Sequence, residues 1–386
     1  MSEAKSEAKT LGAHAQKPAA SARVGSIDLL KFLLAIAVVV LHASEDEVFS
    51  GTTGHLSMGG IAVEGFFVIS GCLMCSSAER DAARSTSSLG EDTVRFIWRK
   101  VKGILVPYVV AVVIYFACWM HTTGWEMLAV EGDGAFCRHV FRWLPNVLLV
   151  FMGGVLQDTA LINVVWYISA MLIAMLVIYP LVRRLGRNYT MVAAPFCALM
   201  LMGFVYNTGG GDYKETVALV GFAPQGLVRA FIGINLGCVA YELAQHLKSL
   251  DLTNLARALL TVTAACLLAI YFCVMEFGED KDCYPMVLLL PAFIGVLYSG
   301  RAAGSSLLDN RVSSYLGKAS TYIYLYHAAL RRVLYAYAPG LTYLQALAIM
   351  LLGSFAMFVV TDLVERGVHN LAKRYDLHPS RLLIKR

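Results

Sequence analysis

The stretch that decides the fold is residues 26–43, SIDLLKFLLAIAVVVLHA. As a helix rising about 1.5 Å per residue, it is long enough to cross most of a hydrocarbon core about 30 Å thick. It nevertheless contains three ionisable residues, Asp28, Lys31 and His42. Ionisable groups inside a membrane are costly and usually face a polar interior that serves function. This stretch therefore predicts a membrane protein with a functional interior.

The composition of the chain agrees with a membrane protein. Of its 386 residues, 58% are hydrophobic and only 15% are charged. A typical soluble domain contains about 45–50% apolar and about 25% charged residues. A soluble protein of this size cannot hide such an excess, and disordered chains are poor in apolar residues. The composition therefore excludes an ordinary soluble domain and a disordered chain.

Apolar runs recur along the whole chain. A crossing helix needs roughly 17–25 predominantly apolar residues. We predict an all-α fold, a polytopic membrane bundle of about ten transmembrane helices, near residues 26–44, 57–75, 103–120, 164–182, 190–206, 219–241, 258–276, 284–299, 316–337 and 341–363. A further apolar run, 144–156, is short and contains Pro145 and the pair Gly153-Gly154. We expect that run to be interfacial or re-entrant.

The distribution of basic residues predicts the orientation. With ten crossings, 24 of the 32 Lys and Arg residues fall on one side of the membrane. Because basic residues are enriched in cytoplasmic loops, we predict that both termini are cytoplasmic. The net charge of +5 is then a topology signal, and we predict no nucleic-acid partner. The predicted organisation is a disordered polar cytoplasmic tail (1–25), a transmembrane domain (26–363) and a basic cytoplasmic tail (364–386).

The spacing of Lys31 and His42 places both on one face of the first helix. Eleven steps of about 100° end only about 20° beyond three full turns, with a rise of about 16.5 Å. One interpretation is that both side chains face a common hydrated interior. The alternatives are that Lys31 pairs with Asp28 and extends toward the cytoplasm, and that His42 is an interfacial histidine.

Further ionisable residues lie in or near later spans. Glu64 lies in the second span, and Arg229 and His327 lie in the sixth and ninth. Glu64 can act in the chemistry of a site, or it can simply neutralise Arg229 or Lys31 inside the bundle. For His327 the alternative is a histidine that is hydrogen-bonded within the bundle.

Five elements of the sequence resemble those of the membrane-bound acyltransferase-3 family. Lys31-x10-His42 is similar to the Arg/Lys-x10-His motif of that family. The other elements follow in the family's order: GFFVISG at 65–71 with Glu64 before it, RKVKGILVPY at 99–108, VVWYISAML at 164–172, and YLGKASTYIYLYH at 315–327.

The chain departs from the family pattern in two respects. Gly103 stands where the family often has a second arginine, so the basic pair is read as Arg99 with Lys102. We also expect no extracytoplasmic hydrolase-like domain after the last span, which makes the resemblance one to a stand-alone O-acyltransferase.

The resemblance implies a reaction and a location. The family transfers an acyl group, usually acetyl from acetyl-CoA, to a hydroxyl of an envelope glycan or a related acceptor such as a lipid-linked saccharide. For this chain it implies O-acetylation as a polysaccharide modification, by a multi-pass protein of the bacterial cytoplasmic (inner) membrane. Acyl-CoA is then a donor substrate, and we predict neither a bound cofactor nor a metal site.

The chemistry of that reaction suggests roles for the residues. A sugar hydroxyl is a poor nucleophile at neutral pH and needs a positioned base, for which histidine is well suited. We predict that His42 is the general base and that Glu64 orients it, as the carboxylate of a triad does. A cationic site suits the phosphates of acyl-CoA, and we predict that it contains Lys31, Arg95, Arg99, Lys100 and Lys102. The predicted cavity-lining residues are Trp166, Tyr167, Arg229 and His327.

Two other classes of protein remain open from the sequence. Ten spans with buried ionisable groups also describe many secondary transporters, and a small-solute transporter built on an acyltransferase-3-like bundle is the main alternative. A structural subunit of a polysaccharide export system is the third, and it has no need for the pair Lys31 and His42.

Overall fold

The computed structural model describes residues 23–44, 49–51, 54–156, 160–208 and 212–374. The described chain is an all-α bundle, as predicted. Its ten long helices, here α1 to α10, are Gly25–Ser44, Ala62–Arg84, Leu89–Trp119, Trp166–Leu185, Ala194–Thr208, Gln225–Ser249, Asn254–Phe277, Asp280–Ser299, Arg311–Tyr337 and Tyr343–Arg374.

Each predicted span corresponds to one of these helices. Within the described residues, nine segments are long and apolar enough to cross a membrane. The exception is α9, which is long enough but contains the polar stretch from Ser313 to His327. This helix packs against α1, α3 and α10, so much of its surface meets protein. Its polar side chains are therefore available to a site inside the bundle.

Shorter elements connect the long helices. The α-helical ones are Trp125–Glu131, Asp133–Arg142, Leu144–Val147 and Ser305–Leu308. Single turns of 3₁₀-helix cover Gly59–Ile61, Phe151–Gly153 and Asn163–Val165, and π-helical turns cover Met120–Gly124 and Tyr189–Ala193. The run 144–156 therefore contains only two short turns, which is consistent with the prediction that it does not cross.

One predicted span begins later than expected. Residues 219–224 form a two-stranded antiparallel hairpin, β1 (Leu219–Val220) and β2 (Ala223–Pro224), and α6 begins only at Gln225. The turn between the strands is possible because Gly221 adopts φ +66°, a conformation that favours glycine. Phe222, beside it, is 97% exposed.

Close contact between α2 and α6 organises the centre of the bundle. Gly71 of α2 faces Gly237 of α6, and a Cβ on Gly237 would lie 2.6 Å from the Cα of Gly71. Small residues let membrane helices approach closely, and packing then replaces the hydrophobic effect that drives folding in water. The two helices run parallel, because Glu64 meets Arg229 near their beginnings and Glu79 meets Tyr241 near their ends.

A second parallel pair, α1 and α9, brings the two intramembrane histidines together. Near one end, Gly317 packs directly against the side chain of Asp28, and a Cβ at this position would overlap it. Near the other end, His42 meets His327. The glycine thus permits a contact between helices that positions residues far along both of them.

The predicted tails lie largely outside the described residues. Of the first tail, residues 1–22 are not described, and α1 begins at Gly25. The last helix continues to Arg374, so the predicted basic tail starts inside α10, and residues 375–386 are not described. The cytoplasmic location of both termini remains a prediction.

Candidate functional site

His42 and His327 form a hydrogen-bonded pair. The Nδ1 atom of His42 lies 3.0 Å from Nε2 of His327, and the ring planes differ by only 12°. On the far side of this pair, Nδ1 of His327 lies 3.0 Å from the carbonyl oxygen of Ile323. His327 is fully buried. The structure thus brings together two histidines that the sequence assigned to the same cavity.

The carbonyl of Ile323 determines which nitrogen is basic. A carbonyl oxygen can only accept, so Nδ1 of His327 must donate to it. In the neutral ring, Nε2 of His327 is then an acceptor, and Nδ1 of His42 must donate to it. This leaves Nε2 of His42 with its lone pair unused within the pair. The chain of hydrogen bonds therefore leaves His42 ready to take a proton.

The pair lines a cavity of about 510 Å³, which we call the histidine cavity. Its polar and aromatic lining residues are His42, Tyr115, Phe151, Asn163, Trp166, Lys214, Thr216, Arg229, Tyr324, His327 and Arg331. Three of the four predicted cavity-lining residues, Trp166, Arg229 and His327, are therefore found together here. The fourth, Tyr167, lies elsewhere.

Glu64 contacts Arg229 rather than His42. Its Oε1 atom accepts a hydrogen bond of 2.6 Å from Nε of Arg229, and both side chains are only 1% exposed. The guanidinium also donates to the carbonyl of Lys214 at 2.9 Å and lies 5.0 Å from the ring of Trp166. The position that we predicted for Glu64, next to the His42 ring, is occupied by His327. The reason is that Glu64 faces α6.

A short loop carries two residues of the histidine cavity, Lys214 and Thr216. The carboxylate of Glu215 accepts from the backbone N–H groups of Thr216, Val217 and Ala218. Partial burial raises the pKa of Glu215, but these backbone donors outweigh it and hold the pKa below its usual range. The loop is also tied to α6, because the N–H of Gly226 donates to the carbonyl of Thr216 at 2.8 Å.

A second cavity, of about 480 Å³, lies around Lys31 and Lys100, and we call it the lysine cavity. Arg23 and Lys318 also line it, together with the carboxylate of Asp28. Lys31 is 24% exposed and forms an ion pair of 2.5 Å with Asp28. The alternative pairing considered for Lys31 is therefore present, yet the residue still faces a cavity with a second lysine.

The other three predicted donor-binding residues lie outside this cavity. Arg99 pairs with Asp81 at 2.6 Å, and Arg95 with Asp92 at 3.3 Å. Lys102 lies over the ring of Trp98 at 5.4 Å. Of the basic residues in the first half of α3, only Lys100 joins Lys31. Arg99 and Lys102, one and two positions away from Lys100, point to different faces of the helix.

A small chamber of about 170 Å³ lies between the two cavities; we call it the connecting chamber. It shares Lys31, Leu73, Lys100 and Thr321 with the lysine cavity. At its other end it shares Tyr324 with the histidine cavity. Tyr167 lines this chamber, and its hydroxyl lies 3.3 Å from that of Ser70. The three cavities thus lie in a row between Lys31 and His42, and the side chain of Tyr324 separates the last two.

Several residues of the site were missed from the sequence, and for two of them the sequence contains a signal. Tyr324 and Arg331 line the histidine cavity, and they lie three positions before and four positions after His327. Residues at such spacings share a helix face. The periodicity of α9 around His327 was therefore the signal that could have identified both.

The sequence of the chain matches a protein family over nearly its whole length. The family model described as an acyltransferase domain, that of the acyltransferase-3 family, matches residues 24–366, nearly the whole chain. Comparison with curated proteins and with solved structures finds no match. The matched region includes the histidine pair, the histidine cavity, the connecting chamber and every residue of the lysine cavity except Arg23. The chain therefore belongs to the acyltransferase-3 family of membrane acyltransferases.

Proposed function

We propose that this membrane acyltransferase takes an acyl group from acyl-CoA at the lysine cavity and transfers it to a hydroxyl in the histidine cavity. The observation that carries the proposal is the row of cavities from Lys31 and Lys100 to His42 and His327. One end offers cations and the other offers a base. A reaction between a donor and an acceptor that enter from opposite ends needs such an arrangement.

At the donor end, Lys31 and Lys100 bind phosphate groups of acyl-CoA. Lysine is a strong donor to phosphate, and such charge-assisted hydrogen bonds are about twice as strong as neutral ones. The acyl thioester then extends through the connecting chamber toward His42. The apolar side chains there, among them Ile69, Leu73 and Ile168, suit an uncharged arm better than a phosphate.

At the acceptor end, Nε2 of His42 removes the proton from the attacking hydroxyl. The hydroxyl oxygen forms a bond to the thioester carbonyl carbon, and the carbon–sulfur bond then breaks. The thiolate of CoA leaves and takes up the proton that His42 received. The products are an ester of the acceptor and free CoA, and His42 returns to its neutral form.

His327 acts through His42. It accepts a hydrogen bond from the Nδ1–H group of His42 and thereby fixes the orientation and tautomer of that ring. The carboxylate of a serine-protease triad plays the same role. Glu64 has no such role in this proposal. It neutralises Arg229, which forms part of the wall of the histidine cavity.

The finer identity of the substrates follows from the family resemblance. We propose that the acyl group is acetyl, that the donor is acetyl-CoA, and that the acceptor is an envelope glycan or a lipid-linked saccharide. The bacterial inner membrane is the proposed location. An acceptor of this kind would enter the histidine cavity past Lys214 and Thr216.

A transporter is the second candidate function. It is favoured by one observation: the cavities lie in a row and are separated by the rings around Tyr324, as binding sites are in a carrier that opens to one side at a time. A transporter needs no base, however, and the hydrogen bonds that leave Nε2 of His42 free are then unexplained.

Purified protein in liposomes, supplied with acetyl-labelled acetyl-CoA and an envelope glycan extract, tests the proposal. We expect label in the glycan fraction together with an equal amount of free CoA. His42→Ala should abolish both, whereas His121→Ala, at an exposed histidine, should not. Equal transfer by His42→Ala would contradict the proposed base. Solute uptake without any release of CoA would favour the transporter.

A further inference from the structure

We propose that Tyr324 selects the acyl group, because its ring closes the passage between the connecting chamber and the histidine cavity. The inference rests on the proposed function, since it concerns acyl groups that arrive from the lysine cavity. It adds a specificity-determining residue to the donor side of the reaction.

Tyr324 lies between the connecting chamber and the histidine cavity. Among the residues that the structure describes, it alone lines both the connecting chamber and the histidine cavity. Its ring also meets that of His327 edge to face, at 6.0 Å between centroids. A group that passes Tyr324 therefore emerges beside the histidine pair.

Two other rings, together with that of Tyr324, form a partition between the connecting chamber and the histidine cavity. The centroid of Tyr324 lies 6.0 Å from that of Phe66 and 5.6 Å from that of Tyr167. Phe66 and Tyr167 are themselves 5.8 Å apart. Distances of this size place aromatic rings in contact. Three rings in mutual contact leave little free space, so the partition passes a narrow group more easily than a wide one.

A hydrogen bond holds the Tyr324 side chain at its hydroxyl end. Its hydroxyl donates a hydrogen bond of 2.8 Å to the carbonyl oxygen of Val164, in the turn that precedes α4. This hydrogen bond is buried, and breaking it would leave a donor and an acceptor unsatisfied, which is unfavourable. The ring is therefore held across the passage, and its size sets how wide a passing acyl group can be.

Together these features predict a preference for narrow acyl groups. The connecting chamber has a volume of only about 170 Å³ and a largely apolar lining. An acetyl group needs only a small displacement of the three rings, whereas a branched or aromatic acyl group needs a larger one. Wild-type protein should therefore use acetyl-CoA better than isobutyryl-CoA and much better than benzoyl-CoA.

The donor preference of variants tests the role of Tyr324. We expect Tyr324→Ala to raise kcat/KM for isobutyryl-CoA relative to acetyl-CoA by roughly 10-fold or more, the size of effect that one or two methylene groups produce in an apolar pocket. Tyr324→Phe keeps the ring and should keep the preference. Tyr326→Ala is the matched control, since Tyr326 is buried on the same helix but its hydroxyl faces Thr361.

The outcomes distinguish this inference from the proposed function. A wild-type protein that releases CoA from none of the three donors would overturn the proposed function. Transfer of acetyl with the same donor ratio in wild type and Tyr324→Ala would overturn only the role of Tyr324. An equal change of ratio in Tyr326→Ala would also overturn it, because a general loosening of the bundle would then explain the effect.

A thiol reaction tests the partition without any acyl transfer. Ala328 lines the histidine cavity, and the thiol introduced by Ala328→Cys can be followed by mass spectrometry of its peptide. A membrane-impermeant thiol reagent added on the side of the lysine cavity should leave it unmodified. Adding Tyr324→Ala, or Tyr324→Leu if the alanine variant does not fold, should make it reactive. Equal reaction with and without Tyr324 would overturn the partition.

Discussion

The guanidinium of Arg229 and the carboxylate of Glu64 are 2.6 Å apart and both side chains are 1% exposed. This ion pair joins α2 to α6 near the ends that face the histidine cavity. A buried charge that loses its partner is strongly destabilising, whereas replacement of both partners by apolar groups is often tolerated. The contact therefore indicates that Glu64 mainly stabilises the wall of the histidine cavity.

We predict that Glu64→Gln and Arg229→Met each lower the free energy of unfolding by about 3–5 kcal/mol. The reason is that each leaves the other member of the pair without its partner. The double variant should recover part of the loss, which thermal unfolding in detergent will measure. Arg95→Met, at an exposed arginine, is the control. A Glu64→Gln protein of wild-type stability that has lost all transfer would instead favour a direct role in the chemistry.

The histidine pair predicts non-additive losses. His42→Ala should lower kcat by roughly 10²–10⁴-fold, the usual contribution of a general base. His327→Ala should lower kcat less, and the KM for acyl-CoA should stay unchanged. Because residues that act as a unit are non-additive, the double variant should be no slower than His42→Ala. Steady-state kinetics of CoA release measure all three, and additive losses would show that the two histidines act independently.

The donor site predicts a contrast within one stretch of α3. Lys100→Met should raise the KM for acyl-CoA by roughly 10- to 100-fold, because a hydrogen bond to a charged group contributes about 1.5–3 kcal/mol. Lys102→Met should change it little, since that lysine lies over Trp98 outside the lysine cavity.

Lys31 should behave like Lys100, with one difference. Lys31→Met removes the partner of Asp28 and should therefore also reduce stability, which the unfolding measurement will separate from binding. Lys31→Arg should retain use of the donor. If Lys100→Met and Lys102→Met raise the KM equally, the assignment of the lysine cavity is wrong.

The orientation predicted from the basic residues can be tested at the two ends of the bundle. Phe222→Cys places a thiol at the exposed tip of the hairpin, and Arg95→Cys places one at the exposed start of α3. In intact cells that express the variants we expect an impermeant thiol reagent to label only the first of these introduced thiols, and in inverted membrane vesicles only the second, as read by mass spectrometry of the peptides that contain them. Labelling of both from one side would contradict the ten-span topology.

The helices of the fold were predictable because long apolar runs in a membrane leave the backbone little alternative to a helix. The start of α6 was not, since the apolar residues 219–224 form a hairpin around Gly221 instead. The helix α9 was also placed correctly, near residues 316–337, despite its polar stretch.

The sequence alone does not predict which distant residues are in contact. His42 and His327 are 285 positions apart, and no pattern along the chain fixes which face of α1 meets which face of α9. The sequence therefore identified both histidines and left their pairing open. For Glu64 it offered two roles, and the contact with Arg229 matches the one that makes it a neutralising partner. The separation of Lys100 from Lys102, by contrast, follows from helix geometry alone.

The helices α2 and α6 touch at Gly71 and Gly237, so one methyl group added at either position would force the two helices apart. Alanine at either position would tilt one helix against the other. This tilt would move Arg229, near the beginning of α6, away from its hydrogen-bond partners. Random mutagenesis should thus find inactivating alanines at two positions that carry no functional group at all. The absence of a side chain at these two positions is thus as specific a feature of the fold as any charged group in its interior.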